Sequence, residues 1–177
     1  MLSPDRIKKA EYNVKGYLRD GLIKSNKKFD ERILNAYIDK SNESLEVANY
    51  LFENGISPLW ITVTSYYSMY YISNAALYKL GYKLGGEISH KVTSDALIYY
   101  VRDKLKSNLL EEFEDAQDEA FQLTEKADKI IESLEFERKK RSLFQYEMTA
   151  EVRISRAETS FQRAKVFNFE LNKILID

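Results

Sequence analysis

The chain contains no cysteine. That absence excludes disulfide frameworks, thiol catalysis and thiolate metal sites together, and it fits a reducing cytoplasm. Two prolines and six glycines leave few places to turn, which favours a few long helices over many short strands. A net charge of -1 supplies no overall pull toward a polyanion, so any basic surface has to be local. The amino terminus, Met1 to Arg6, turns charged at once and lacks the apolar core of a secretory signal. No segment reads as a membrane span. The expectation is a soluble, cytoplasmic protein of one domain, 1–177, large enough to bury a core without metals or disulfides.

What the chain does have is an uncharged run of twenty-five residues from Asn54 to Tyr78 with five tyrosines, Tyr66, Tyr67, Tyr70, Tyr71 and Tyr78. Ser57, Thr62, Thr64, Ser65, Ser68, Ser73 and Asn74 keep it too polar for hydrocarbon. It reads as a helix surrounded by protein. Buried phenols need hydrogen-bond partners, so this helix is expected to pack against polar groups, structural ones or those of a site.

Around it the periodicity predicts an all-α, up-and-down bundle of about five to six helices. Ser3-Pro4 opens a first helix to about residue 24, Asp30 caps a second over 31–53, and Ser57-Pro58 starts the tyrosine helix, which Gly81 closes. Ser89 can cap a fourth to about Leu105, and Asn108 with Glu111 makes a capping-box-like start for a fifth. The fifth carries Leu109, Phe113, Ala116, Ala120, Leu123, Ala127, Ile130 and Leu134 in four-three alternation. A sixth, from about Glu151 to Ile176, puts Ile154, Ala157, Phe161, Ala164, Phe167, Leu171 and Ile174 on one face. No alternating strand pattern competes with these readings.

Three features could carry chemistry. The acidic run Glu111 to Glu119 places Asp115 and Glu119 at metal-ligand spacing, but no histidine lies nearby in sequence and carboxylates suit a helix start; no metal is expected. Arg138-Lys139-Lys140-Arg141, followed by Tyr146, can neutralise a phosphate and stack a base, or can be an ordinary exposed face. The lone histidine, His90, begins the fourth helix beside Lys91; it can face an anion at the positive helix end or simply serve the turn. No Ser-His-Asp arrangement, glycine-rich phosphate loop or zinc finger is present.

Ser44-Leu45-Glu46-Val47-Ala48, then Ser65-Tyr66-Tyr67-Ser68-Met69-Tyr70-Tyr71, then Ala75-Ala76-Leu77 and Leu80-Gly81-Tyr82 follow in the order of a known family. With Ser89-His90-Lys91, Arg141, Tyr146, Ala157 and Ala164, the chain resembles the HEPN domain family over about residues 31 to 176. The segment 1–30 falls outside the resemblance as an amino-terminal helix and connector. The resemblance implies a helical bundle that binds RNA or a nucleotide, often as a homodimer, often beside a nucleotidyltransferase partner in toxin-antitoxin systems. It makes His90, Arg141 and Tyr146 the candidate catalytic residues, and Arg138, Lys139, Lys140, Arg141, Tyr66 and Tyr67 the candidate ligand-binding residues. No cofactor is implied.

Ribonuclease members of that family carry an arginine, four to six intervening residues, then a histidine. Here Lys83 lies seven residues before His90, and Tyr146, not histidine, lies five after Arg141. A phenol with a pKa of about 10 is a poor base at neutral pH, and lysine lacks the planar fork of arginine. The expected function is therefore binding or complex formation, leaning away from an enzyme. A divergent metal-independent ribonuclease and a purely structural helical adaptor are the alternatives.

Overall fold

The computed structural model describes residues 2–26, 28–85, 89–105, 108–139 and 154–176, with backbone alone at 89 and 126–139. Among them the chain forms α1 (Pro4–Arg19), β1 (Ile23–Ser25), α2 (Glu31–Glu53), α3 (Pro58–Lys79), β2 (Tyr82–Leu84), α4 (Ser89–Tyr100), a 3₁₀ turn (Arg102–Lys104), α5 (Leu109–Lys139) and α6 (Ile154–Ile176). This is an all-α helical bundle. No helix among the described residues is long and apolar enough to cross a membrane.

The tyrosine helix is the axle. α3 packs against α2, α4, α5 and α6, and a helix covered on most sides has little need of a charged face; Trp60, Tyr67, Tyr70 and Tyr71 mark its open side. Tyr66, Met69, Ile72, Ala75 and Ala76 are all fully buried on it. Its buried polar groups, the Ser65 hydroxyl excepted, are satisfied in two ways. Ser73 and Asn74 donate back to the carbonyls of Met69 and Tyr70 at 2.7 and 2.8 Å. Ser68 joins Ser41 of α2 and Asn168 of α6: Ser41 donates to Asn168 Oδ1 at 2.6 Å, and Asn168 Nδ2 donates to Ser68 Oγ at 2.8 Å. The Tyr78 hydroxyl accepts from the Asp30 backbone amide at 3.0 Å, tying the end of α3 to the start of α2.

Local signals act as expected at α2 and α3. Asp30 accepts from the Arg32 amide, and Ser57, in the left-handed region at φ 43°, accepts from the Trp60 amide with Pro58 at the first helical position. At α5, the Asn108 amide reaches the Glu112 carboxylate at 2.9 Å. On its inner stripe Leu109, Phe113, Ala116 and Ala120 are buried, and Phe113 stacks on Phe167 at 5.3 Å. The side chains of Ala127, Ile130 and Leu134 lie outside the described residues.

Four expectations are corrected. The fourth helix ends at Tyr100 and a 3₁₀ turn at Arg102–Lys104 follows it, so it does not run to Leu105. The first helix stops at Arg19 instead of near residue 24, because Gly21 turns the chain at φ 73° and Ile23, buried at 2 % exposure, enters a strand. Strands therefore exist: β1 pairs antiparallel with β2, Ile23 opposite Leu84 and Ser25 opposite Tyr82. Three-residue segments are too short for an alternating pattern to register, and their pairing depends on a contact across some sixty residues of chain. Ile154, placed on the inner face of the sixth helix, is 68 % exposed at its first turn, one turn before the buried stripe begins at Ala157.

The amino-terminal helix is bound into the bundle by a polar cluster. Arg6 of α1 donates to Asp95 on α4 at 2.7 Å and to Glu114 on α5 at 2.9 Å. Asn13 and Tyr17 both donate to the second Asp95 oxygen at 2.9 Å, and Ser94 donates to Glu114 at 2.7 Å. Asp95 is buried, so an unpaired charge there would be costly; three donors from one helix answer it.

Candidate functional site

His90 enters the bundle at the first turn of α4 and lands against α3. The Tyr66 hydroxyl lies 2.7 Å from His90 Nδ1. The Tyr70 ring lies 4.2 Å from the imidazole at a 31° tilt, and the edges of Tyr67 and Phe121 meet it at 5.8 and 5.1 Å. The spacing of α3 explains the enclosure: Tyr66 and Tyr70 are four apart and Tyr67 lies beside them, so one helix wall supplies three rings. α5 closes the other side with Phe121, which also meets Tyr66 at 5.8 Å.

Burial lowers the His90 pKa below its ordinary value, so the ring is neutral at pH 7. Burial raises the Tyr66 pKa strongly, and Tyr70, Tyr67 and Asp118 raise it further, so the phenol keeps its proton. A neutral imidazole has one donor and one acceptor nitrogen, and a phenol is a better donor than acceptor. Tyr66 is thus assigned as donor to Nδ1, which leaves the ring proton on Nε2. In this tautomer the second ring nitrogen of His90, Nε2, is a donor and not an acceptor. A general base would need an unprotonated nitrogen on the ligand side.

The α5 edge of the site is acidic. Glu114 and Asp118 are one turn apart, and Phe121 follows Asp118 by three residues on the same face. Burial raises the Asp118 pKa, with the charges of Glu114 and Asp115 adding to it.

Of the residues singled out in the sequence, the fold brings Tyr66, Tyr67 and His90 together. Tyr66 is fully buried, so it orients the imidazole, while Tyr67 is half-buried at the surface. Arg138 and Lys139 end the described part of α5 with their side chains outside the described residues; Lys140, Arg141 and Tyr146 lie outside them altogether. The acidic run divides between two faces. Glu114 answers Arg6 and Ser94, whereas Glu119 accepts from Ser160 at 3.0 Å and pairs with Arg163 at 3.5 Å. Asp115 pairs with the same arginine at 3.7 Å. No group of three or more potential metal ligands occurs among the described residues.

Sequence reasoning passed over Phe121 and Tyr70 as parts of the site. Phe121 stands one position off the buried stripe and is 38 % exposed, a combination that reads as an incidental surface aromatic. Tyr70 was legible in principle, four residues after Tyr66. No protein-family model matches the chain, and comparison with curated proteins likewise finds no match.

Proposed function

We propose that this protein is a HEPN-like bundle that binds RNA or a nucleotide at the His90 face, working with a partner in a toxin-antitoxin type system. The observation that carries the reading is the His90 ring itself, held by Tyr66 and packed between Tyr70 and Phe121. Half-exposed rings beside a donor nitrogen suit a base and an oxygen of one nucleotide. The order of sequence features that resembles the HEPN family adds to it. A second copy of the chain or a nucleotidyltransferase is the partner that the resemblance implies. Phe169 and Ile176, 65 % and 85 % exposed on α6, offer apolar surface for either.

The donor tautomer favours binding over catalysis, because Nδ1, the acceptor nitrogen, is occupied by Tyr66. The incomplete arginine-histidine pattern points the same way. A divergent ribonuclease would need Tyr66 to release that nitrogen.

The test is a labelled RNA offered in EDTA to the wild type and to His90→Ala. Binding that weakens steeply with salt, without cleavage, and that His90→Ala impairs, is the expected result. Cleavage by the wild type that the substitution abolishes would replace this reading with the ribonuclease one. Neither binding nor cleavage would leave a structural adaptor.

A further inference from the structure

α6 buries one face and leaves the other patterned. It packs on α3 and reaches α2 and α5 at its sides, which accounts for the buried stripe from Ala157 to Ile174. On the opposite face Thr159, Gln162, Val166, Phe169, Lys173 and Ile176 are all exposed, alternating three and four apart, the spacing of a seam that meets another helix. Lys173 is the only charge on this stripe, and its ammonium lies 4.5 Å over the Phe169 ring.

The two halves of the stripe differ in shape. The carboxy-terminal half projects Phe169 and Ile176 into solvent. The amino-terminal half borders a groove of about 560 Å³, lined by Thr159, Gln162 and Val166 together with Leu109 and Glu112 at the start of α5. Knobs and hole thus sit on one helix, about 15 Å apart. Turned end over end about a point between Phe167 and Asn168, the stripe maps onto itself: Val166 meets Phe169 of a second copy, Gln162 meets Lys173, and Thr159 meets Ile176. Such reciprocity is what a two-fold interface requires. A groove for a foreign ligand does not call for knobs that match it at the same spacing on the same helix.

Charge sets the direction and does not select the occupant. A parallel pairing would put Lys173 against its own copy, like charge on like, whereas the antiparallel one puts it opposite Gln162 and one turn from Glu158. The other charges are answered within the chain or lie at the rim. Arg163 pairs with Asp115 and Glu119, Lys173 itself with Glu170 at 3.0 Å, and Glu112 accepts from the Asn108 amide. Arg156, Glu158 and Lys165, of both signs, flank the stripe.

We propose that α6 docks antiparallel on α6 of a second copy, each copy seating its Phe169 and Ile176 against the other's groove. This names a partner for the α6 face, on observations that use none of the residues around His90. A face of about 26 Å along one helix makes a small interface, below about 1,200 Å² in total. The dimer is therefore expected to be weak, with a Kd on the order of 10 μM.

Sedimentation equilibrium of the full chain between about 1 and 500 μM should show a reversible passage from 20.8 kDa to twice that mass, little changed by salt. Phe169→Asp, at an exposed position, should keep the circular dichroism of the wild type and raise the Kd at least about tenfold. Tyr12→Asp, which alters another exposed aromatic on α1, should leave the dimer intact. Because the chain has no cysteine, orientation can be read by oxidation: Thr159→Cys and Ile176→Cys, mixed, should cross-link to each other and neither to itself, since the antiparallel pairing holds like positions about 25 Å apart. A monomer throughout, a dimer that Phe169→Asp leaves unchanged, or Ile176→Cys that cross-links to its own copy would each overturn the proposal. None of these results bears on RNA binding at His90.

Discussion

Replacing Asp95 with alanine tests whether the amino-terminal helix is part of the bundle or an attachment to it. The carboxylate is 2 % exposed and accepts from Arg6, Asn13 and Tyr17, all on α1. Breaking a buried ion pair by removing one partner costs about 3–5 kcal/mol when the other charge is stranded. Here it is not stranded: Arg6 is 24 % exposed and keeps Glu114, and Asn13 and Tyr17 are partly exposed and can reach water. The expected loss is therefore at the lower end, about 3 kcal/mol, or roughly 6–12 °C in melting temperature for a chain of this size. Asp95→Asn, which retains one acceptor oxygen, should lose less than alanine does. Urea denaturation gives the free energies, and hydrogen exchange should place the loosened amides in α1. A loss below about 1 kcal/mol for the alanine variant, or exchange unchanged in α1, would refute the argument that this cluster holds the helix down.

His90 is the chain's only histidine, so one imidazole signal reports the site by NMR without assignment: the Nε2–H tautomer and a pKa below about 6.5 are expected, and an Nδ1–H ring would contradict the Tyr66 assignment. With the folded pKa depressed by burial, the unfolded chain binds the proton first, so the contribution of His90 to stability is intact above about pH 6.5 and is lost as pH falls below it; His90→Phe should flatten that part of the profile. Phe113→Ala, at a position 1 % exposed and stacked on Phe167, should cost about 3–5 kcal/mol in chemical denaturation, a loss under about 1 kcal/mol meaning that the α5 stripe is not core. Gly16→Ala and Gly81→Ala should move in opposite directions. The first adds a methyl with nothing within 4 Å inside α1 and should stabilise by about 0.5–1 kcal/mol, while the second forces a side chain to φ 92° and should destabilise by more than that; thermal melts of the pair decide it.

The parts of this fold that were readable from sequence are those fixed within a few residues. Asp30, and Ser57 with Pro58, mark the starts of α2 and α3 because a cap acts on amides two or three positions away. The alternation of Leu109, Phe113, Ala116 and Ala120 names a buried face because helix geometry alone aligns them. The contacts that were not readable join distant segments. Arg6 finds Glu114 across 108 positions, and nothing local to either residue announces the pairing. The β1–β2 ribbon has the same character. The site divides likewise: the tyrosines were conspicuous, but only the placement of α4 against α3 brings His90 to Tyr66, and only the rotation of α5 turns Phe121 toward them.

The trio of Ser41, Ser68 and Asn168 has a consequence for how α6 finds its seat. Apolar stripes of alanine, leucine and phenylalanine match themselves again one turn along, so packing alone tolerates a slide of about 5.4 Å. Such a slide would carry the Asn168 amide away from both serines; Ser41 would keep the Ser68 carbonyl and Asn168 Nδ2 the Ala164 carbonyl on its own helix, but Asn168 Oδ1 would lose its donor, at a cost of about 1–3 kcal/mol. The trio thus serves as a register key, accepting one docking position out of several that the hydrophobic surface allows. Replacing all three residues with apolar ones of similar volume could leave the bundle as stable as before and free α6 to settle in more than one place.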